Sequence, residues 1–171
     1  NYGNVITNIT EKIFKDIGKS RNFTINAKTV EFKKIFNNYS EAINLNDFSG
    51  LNFTGANLSG ANLSGAYLSG VNFSNAKLSS AIIEKADLAG ANFENANLQG
   101  CNLRESNLEG VDLSGINLHG SDIRGIYSNE LNLSGADLSS TDFRNADLSS
   151  ADLTGVDLSY ANGDGANLSG A

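Results

Sequence analysis

A period of five residues governs most of this chain. From Asn46 the sequence falls into blocks of five that continue without insertion to residue 170, which makes 25 blocks. The central residue of a block is Leu, Phe or Ile in 23 of them. Typical blocks read ANLSG at 56–60 and ADLTG at 151–155. A repeat this regular outweighs local secondary-structure propensity, because it sets the architecture as a whole.

This period fits neither regular secondary structure. An α-helix turns by about 100° per residue, so successive central residues would be scattered around its axis. In an extended strand five is an odd number, so they would alternate between opposite faces. Burial of every central residue therefore requires the chain to bend between blocks. The Gly, Ser, Asn and Asp residues of each block favour such bends. The sequence predicts a β fold in which the chain coils around its own hydrophobic axis.

Correlations at twenty residues predict four blocks in each coil. Two sets of residues recur at this spacing: the central Phe53, Phe73 and Phe93, and, one position after the centre, Arg104, Arg124 and Arg144. Stacked coils would place the members of each set above one another at about 4.8 Å, so the phenylalanines are expected to form a core stack. The 25 blocks then make about six coils, a rod on the order of 30 Å long.

The blocks resemble the motif of the pentapeptide-repeat family, which is a small residue, Asn or Asp, Leu or Phe, and two mostly small polar residues. The resemblance covers residues 46–171. It implies a right-handed quadrilateral β-helix with four faces per coil. Two blocks depart from the motif, with Ser128 and Gly163 at their central positions. We expect irregular local geometry at these two blocks.

The charge distribution marks a domain boundary before the first block. Residues 1–45 contain seven Lys or Arg and four Asp or Glu, whereas residues 46–171 contain five and fifteen. Within residues 1–45, two runs have apolar residues at helical spacing: Val5, Ile6, Ile9, Ile13 and Ile17, then Val30, Phe32, Ile35, Phe36 and Tyr39. We interpret residues 1–45 as an N-terminal helical capping segment on the first coil. The alternative is a helix pair that binds a partner.

Nothing in the pattern predicts catalysis, a cofactor or a metal. One Cys and one His cannot form a disulfide or a zinc site. Cys101 takes an inward position and is expected to be buried and unreactive, while His119 takes an outward, solvated position. Cation binding by a stacked Asp137 and Asp157 is the least favoured interpretation.

The net charge of −7 argues against direct nucleic-acid binding. No run is long and apolar enough for a membrane helix, so we expect a soluble domain of unassigned compartment.

The arginine column is the sharpest surface feature of the sequence. It predicts either a ladder of salt bridges or a face that docks an unknown protein partner, because guanidinium forks suit carboxylates. Tyr127 adjoins the irregular block and is a candidate recognition residue. The candidate docking residues are therefore Arg104, Arg124, Arg144, Asp122, Asp142 and Tyr127.

Two further expectations concern partners. Five aspartates in successive blocks should encircle the rod as a belt that aids solubility and turn formation: Asp137, Asp142, Asp147, Asp152 and Asp157. The chain ends at Ala171 on an uncapped coil near Tyr160, which is a possible dimer interface, and its start at Asn1 suggests a processed chain or a fragment.

The leading functional prediction is a non-enzymatic scaffold or protein–protein interaction module. The resemblance also implies an alternative, a DNA-mimic regulator of a topoisomerase such as DNA gyrase.

Overall fold

The computed structural model describes residues 48–128 and 130–171. The predicted N-terminal capping segment, residues 1–45, lies outside these residues. Within them the regular structure consists of isolated β-bridges, one for each block, and no helix occurs in this part of the chain. The bridging residue is the second of its block, from Asn52 to Asn167.

The bridges sort the blocks into four faces. Each bridge joins a residue, in parallel, to the one twenty positions further along, as Asn52 does with Asn72. The bridge residues of face 1 are Asn52, Asn72, Asn92, Asp112, Asn132 and Asp152. Those of face 2 are Asn57, Lys77, Asn97, Asn117, Asp137 and Asp157. Those of face 3 are Asn62, Ile82, Asn102, Asp122, Asp142 and Asn162. Those of face 4 are Tyr67, Asp87, Asn107, Tyr127, Asp147 and Asn167. Four blocks to a coil, as the sequence predicts, are thus confirmed.

Backbone hydrogen bonds along the axis hold neighbouring coils together. On face 1, the Phe53 N–H donates to the Asn72 carbonyl at 2.8 Å, and the Asn72 N–H donates to the Leu51 carbonyl at 2.9 Å. A bond within the corner, from the Ala56 N–H to the Phe53 carbonyl at 2.9 Å, closes each bend. Because most of these bonds join different coils, the stability of a coil depends on its neighbours.

The second and fifth positions of a block shape its corner. The Asn92 Oδ1 atom accepts from the Glu94 N–H at 2.9 Å, and the Asp112 Oδ1 atom accepts from the Ser114 N–H at 2.9 Å. Asn and Asp recur there because their short side chains reach the backbone two residues later. The fifth residue adopts a left-handed conformation, which Gly115 reaches at φ 64° without a Cβ penalty.

The first and third positions of the blocks fill the interior. The rings of Phe53 and Phe73 stack with centroids 5.7 Å apart, and those of Phe73 and Phe93 with centroids 5.2 Å apart. Phe48 meets Phe53 edge-on. Leu98 and Leu138 are fully buried. The core is therefore a continuous apolar column inside the four faces.

Both irregular blocks have a local explanation. At Gly163, an added Cβ would lie 2.2 Å from Cε2 of Phe143, so the phenylalanine of the preceding coil occupies the space of the missing side chain. At Ser128, the hydroxyl donates to the Leu108 carbonyl at 3.0 Å and remains buried. The departures from the motif alter the core locally and keep the coil register.

The last coil has the most exposed core positions of the described chain. Leu158 is 41% exposed and Leu168 is 44% exposed, whereas Leu138 in the preceding coil is fully buried. Tyr160, at a corner of this coil, is 94% exposed. The sequence predicts a possible dimer contact on this surface.

Candidate protein-docking face

Face 3 holds the three arginines of the predicted column. Arg124 folds back on the aspartate two residues earlier, its Nε donating to Asp122 Oδ1 at 2.8 Å and its Nη2 to Asp122 Oδ2 at 2.6 Å. Arg144 repeats this arrangement on Asp142, at 2.9 and 2.8 Å. Both guanidinium groups therefore form two-point bonds with a carboxylate of their own face.

A contact between coils links these two pairs. The Nε of Arg124 lies 3.6 Å from Asp142 Oδ2, so Asp122, Arg124, Asp142 and Arg144 form a ladder of alternating charge along the axis. The hydrogen bond from Arg124 is the main reason why the pKa of Asp122 lies below its usual range, and Arg144 does the same for the pKa of Asp142. Both carboxylates therefore stay ionised at neutral pH.

Arg104 belongs to the same column and is bound differently. Its Nη2 lies 2.8 Å from Oε1 of Glu105, the next residue, and that carboxylate also lies 3.8 Å from the Lys85 ammonium. The position that carries Asp beside the other two arginines is Asn102 here, which donates to Glu84 at 3.1 Å. The sequence already contains this signal, because Asn replaces Asp two residues before Arg104.

Tyr127 does not join this cluster. It is a bridge residue of face 4, where it is 52% exposed, and Tyr67 lies on the same face with 49% exposure. The structure therefore brings together the arginines and aspartates of the predicted docking set on one face and places its tyrosine on the adjacent one.

A histidine on face 2 has partners that the sequence analysis does not anticipate. The Nδ1 of His119 lies 2.8 Å from the Ser139 hydroxyl, which donates to Asp137 Oδ1 at 2.5 Å. His119 is half-buried instead of fully solvated, because the serine lies directly on the next coil. The twenty-residue spacing of His119 and Ser139 is the signal that would have predicted this contact.

The inner side of face 3 carries a stacked polar column. Cys101 is fully buried, as the sequence predicts, and burial raises the pKa of its thiol to about 12. On the next two coils, the Ser121 hydroxyl donates to the Leu98 carbonyl at 2.9 Å and the Thr141 hydroxyl donates to the Leu118 carbonyl at 3.1 Å. These buried hydroxyls are satisfied by corner carbonyls of the preceding coil.

The aspartate belt follows the register of the faces. Asp137, Asp142, Asp147, Asp152 and Asp157 lie in succession on faces 2, 3, 4, 1 and 2. Hydrogen bonds from Ser149 lower the pKa of Asp147, and those from Thr154 lower the pKa of Asp152. Within the described residues, no group of three or more His, Cys, Asp or Glu side chains is arranged to hold a metal ion, and no helix could cross a membrane.

The family model described as pentapeptide repeats matches eight copies over residues 47–84, 86–125 and 132–170. The chain belongs to the pentapeptide-repeat family. Proteins of this family adopt a right-handed β-helix and are generally non-enzymatic structural or interaction proteins. A second family model, the C-terminal domain of SAM hydroxide adenosyltransferase, matches residues 1–60, most of which precede the repeats.

Solved pentapeptide-repeat structures include several similar chains. HetL, a protein involved in heterocyst differentiation regulation in the cyanobacterium Nostoc sp. strain PCC 7120, is 26% identical, with a TM-score of 0.48 and coverage of 72% of this chain. A pentapeptide-repeat protein from the Arabidopsis thaliana thylakoid lumen is 31% identical, with a TM-score of 0.46 over 58% of this chain. The chain spans 66% of the length of each of these two proteins.

QnrB1, a plasmid-mediated fluoroquinolone resistance protein, was solved in a trypsin-treated form. It is 22% identical, with a TM-score of 0.24 and coverage of 69% of this chain and 87% of its own. No curated protein matches the chain.

Proposed function

We propose that this chain is a non-enzymatic interaction module that docks a partner protein through face 3. The observation that supports the proposal is the column of Arg104, Arg124 and Arg144 on consecutive coils of one face. The backbone positions of neighbouring arginines are then separated by about 4.8 Å, the spacing of adjacent strands. A column of arginines on a rigid support suits a partner with several carboxylates along one side.

The ion-pair ladder of face 3 holds Arg124 and Arg144 in fixed orientations before a partner binds. A guanidinium has five N–H donors, and the bonds to Asp122 and Asp142 engage the Nε and Nη2 atoms of Arg124 and Arg144. The remaining donors are available to a partner, since these side chains are 35% and 41% exposed. Because the aspartates already fix the rotamers, docking loses less side-chain entropy than it would with free arginines.

Arg104 is the arginine that we expect to contribute most to docking. Its side chain is 46% exposed, and its carboxylate partner Glu105 sits at a corner and also contacts Lys85. A partner carboxylate can replace Glu105 at Arg104 without breaking a two-point bond, whereas at Arg124 it must use the donors that Asp122 does not engage.

Substitution of the arginine column tests the docking face. The triple variant Arg104→Ala, Arg124→Ala and Arg144→Ala should lose the proteins that the wild-type chain retains in a pull-down from its native host. Lys77→Ala, which removes a cation from face 2, is the control and should retain them. The triple Arg→Lys variant keeps the positive charge and removes the planar guanidinium groups, so we expect it to retain part of the bound protein. Unchanged partners in the triple Ala variant, with its circular dichroism intact, would refute the proposal.

A DNA-mimic regulator of a topoisomerase is the second function that we propose to test. Its support is the charge of the repeats, since residues 48–171 contain five Lys or Arg against fourteen Asp or Glu. A gyrase supercoiling assay with increasing amounts of the protein tests this function. Inhibition or protection of gyrase would support this function, and no effect at micromolar protein would remove it.

Self-association through the last coil is a further part of the proposal. Leu158, Leu168 and Tyr160 are exposed on this coil. Light scattering should show a dimer at high concentration and a monomer for Leu158→Lys. A wild-type chain that stays monomeric at every concentration would contradict this contact.

A further inference from the structure

Face 4 carries two exposed aromatic side chains. Tyr67 and Tyr127 occupy bridge positions of this face and are each about half exposed. They are separated by three coil steps, or about 14 Å at the strand spacing. Exposed tyrosines on a rigid, flat face are effective anchors for a partner, because they bury much area and lose little side-chain entropy.

The Lys and Arg side chains of the described residues lie on faces 2 and 3. Lys85, Arg104, Arg124 and Arg144 belong to face 3, and Lys77 belongs to face 2. In the part of the chain that the structure describes, face 4 and the adjoining face 1 carry no Lys or Arg. Their carboxylates are Asp87, Glu109, Glu130 and Asp147 on face 4 and Glu94, Asp112 and Asp152 on face 1. These side chains occupy a length of about 16 Å along the axis, since each coil advances by about 4.8 Å.

Two carboxylates of these faces are held in the ionised form by hydrogen bonds. The pKa values of Asp147 and Asp152 lie below the usual range, because Ser149 and Thr154 donate hydrogen bonds to them. The ion pairs of the face 3 cations, from Lys85 to Arg144, are formed with carboxylates of face 3. In the described part of the chain, faces 4 and 1 therefore place carboxylates and no Lys or Arg around Tyr127, which lies on the coil between Asn107 and Asp147.

We propose that face 4 and the adjoining face 1 bind a lysine- and arginine-rich segment of a partner protein. The carboxylates attract the basic segment and set its orientation. The ring of Tyr127 accepts a cationic side chain on its face, an interaction that operates within about 6 Å of the ring centre. This surface is separate from the arginine column of face 3, so either proposal can fail without the other.

A charge-matched pair of variants tests this binding. The probe is a fluorescein-labelled peptide of alternating Lys and Gly, measured by fluorescence anisotropy at physiological ionic strength. The test variant combines Glu94→Gln, Glu109→Gln and Glu130→Gln on faces 1 and 4. The control variant combines Glu84→Gln, Glu105→Gln and Asp164→Asn on face 3, at corresponding block positions and with the same net charge. We expect the test variant to bind about tenfold more weakly, the loss that three exposed ion pairs of ordinary strength produce, and the control to change less than about twofold.

Tyr127→Leu supplies the second measurement. It keeps an apolar side chain and removes the ring, and we expect about a threefold loss of affinity, a typical share for an exposed cation–π contact. Equal weakening in the two triple variants would overturn the proposal, because binding would then follow net charge alone. Absence of binding to the wild-type chain would also overturn it. A salt-sensitive dimer of the protein itself, seen by light scattering in place of the peptide complex, would assign this surface to a second copy and equally overturn it.

Discussion

The contact between Phe143 and Gly163 allows a compensating pair of substitutions. The phenylalanine ring lies where the side chain of residue 163 would point, with an added Cβ at 2.2 Å from Cε2 and 2.3 Å from Cζ. Phe143 itself is 7% exposed, so its ring is packed on most sides. Any side chain at position 163 must therefore displace a buried ring.

The two single variants, Gly163→Leu and Phe143→Leu, should lose folding stability for opposite reasons. Gly163→Leu overpacks the site and should destabilise the fold by about 1–3 kcal/mol. Phe143→Leu leaves unfilled space and should cost about 1 kcal/mol, less than the roughly 3–5 kcal/mol of a full truncation to Ala. The double variant restores a Leu on each coil, as Leu118 and Leu138 are arranged on face 2. Its destabilisation should be smaller than the sum of the two single effects by at least about 1 kcal/mol.

Guanidinium chloride unfolding of the four proteins measures this coupling. Because stability in a solenoid is partly local, amide hydrogen exchange of residues 141–165 serves as a second readout at the site. Gly163→Leu with wild-type stability, or a double variant whose effects simply add, would refute the packing argument.

Three further predictions concern single residues. The Cys101 thiol, with its pKa raised to about 12, should resist iodoacetamide at pH 8 in the folded protein and react once guanidinium chloride unfolds it; fast labelling of the native state would contradict its burial. Because the folded-state pKa of Asp152 is lowered, the stability it contributes is present above its unfolded pKa of about 3.9 and is lost as the pH falls through the folded value. Asp152→Asn, which keeps the turn-forming oxygen, should match the wild type at pH 7 and lose less stability on acidification followed by circular dichroism; identical acid curves would exclude this contribution. Ser80 has φ 56°, so Ser80→Gly should raise stability by about 0.5–1 kcal/mol. Ser79→Gly, one residue earlier, should lower it by a similar amount, and the same sign in both would show that left-handed strain is not the cause.

Much of the fold follows from the sequence because its period leaves few solutions. The spacing of Phe53, Phe73 and Phe93 predicts four blocks per coil, and the bridges between residues twenty apart confirm it. Identical blocks give the same hydrogen bonds wherever they occur, so the pattern of one coil extends to the others. The predicted cap of residues 1–45 lies outside the described residues and stays a prediction.

The candidate site is less predictable because side-chain partners depend on rotamers. The sequence places Arg104 in one column with Arg124, yet Arg104 turns to Glu105 while Arg124 turns to Asp122. The contact of His119 with Ser139 and the filling of the Gly163 site by Phe143 also involve residues twenty apart. A comparison of each residue with its neighbour on the next coil would have pointed to both. The direction of each side chain, however, is decided by packing that the sequence alone does not show.

The parallel pairing of residues twenty apart limits which insertions and deletions this molecule tolerates. Five extra residues between Arg124 and Arg144 would preserve every buried leucine but rotate all later blocks by a quarter turn, moving Arg144 from face 3 to face 4. Twenty extra residues would lengthen the rod by one coil and leave every column intact. A change whose length is not a multiple of five would place polar side chains in the interior. Surface columns in this architecture can therefore be transferred between faces in steps of five residues while the core stays unchanged.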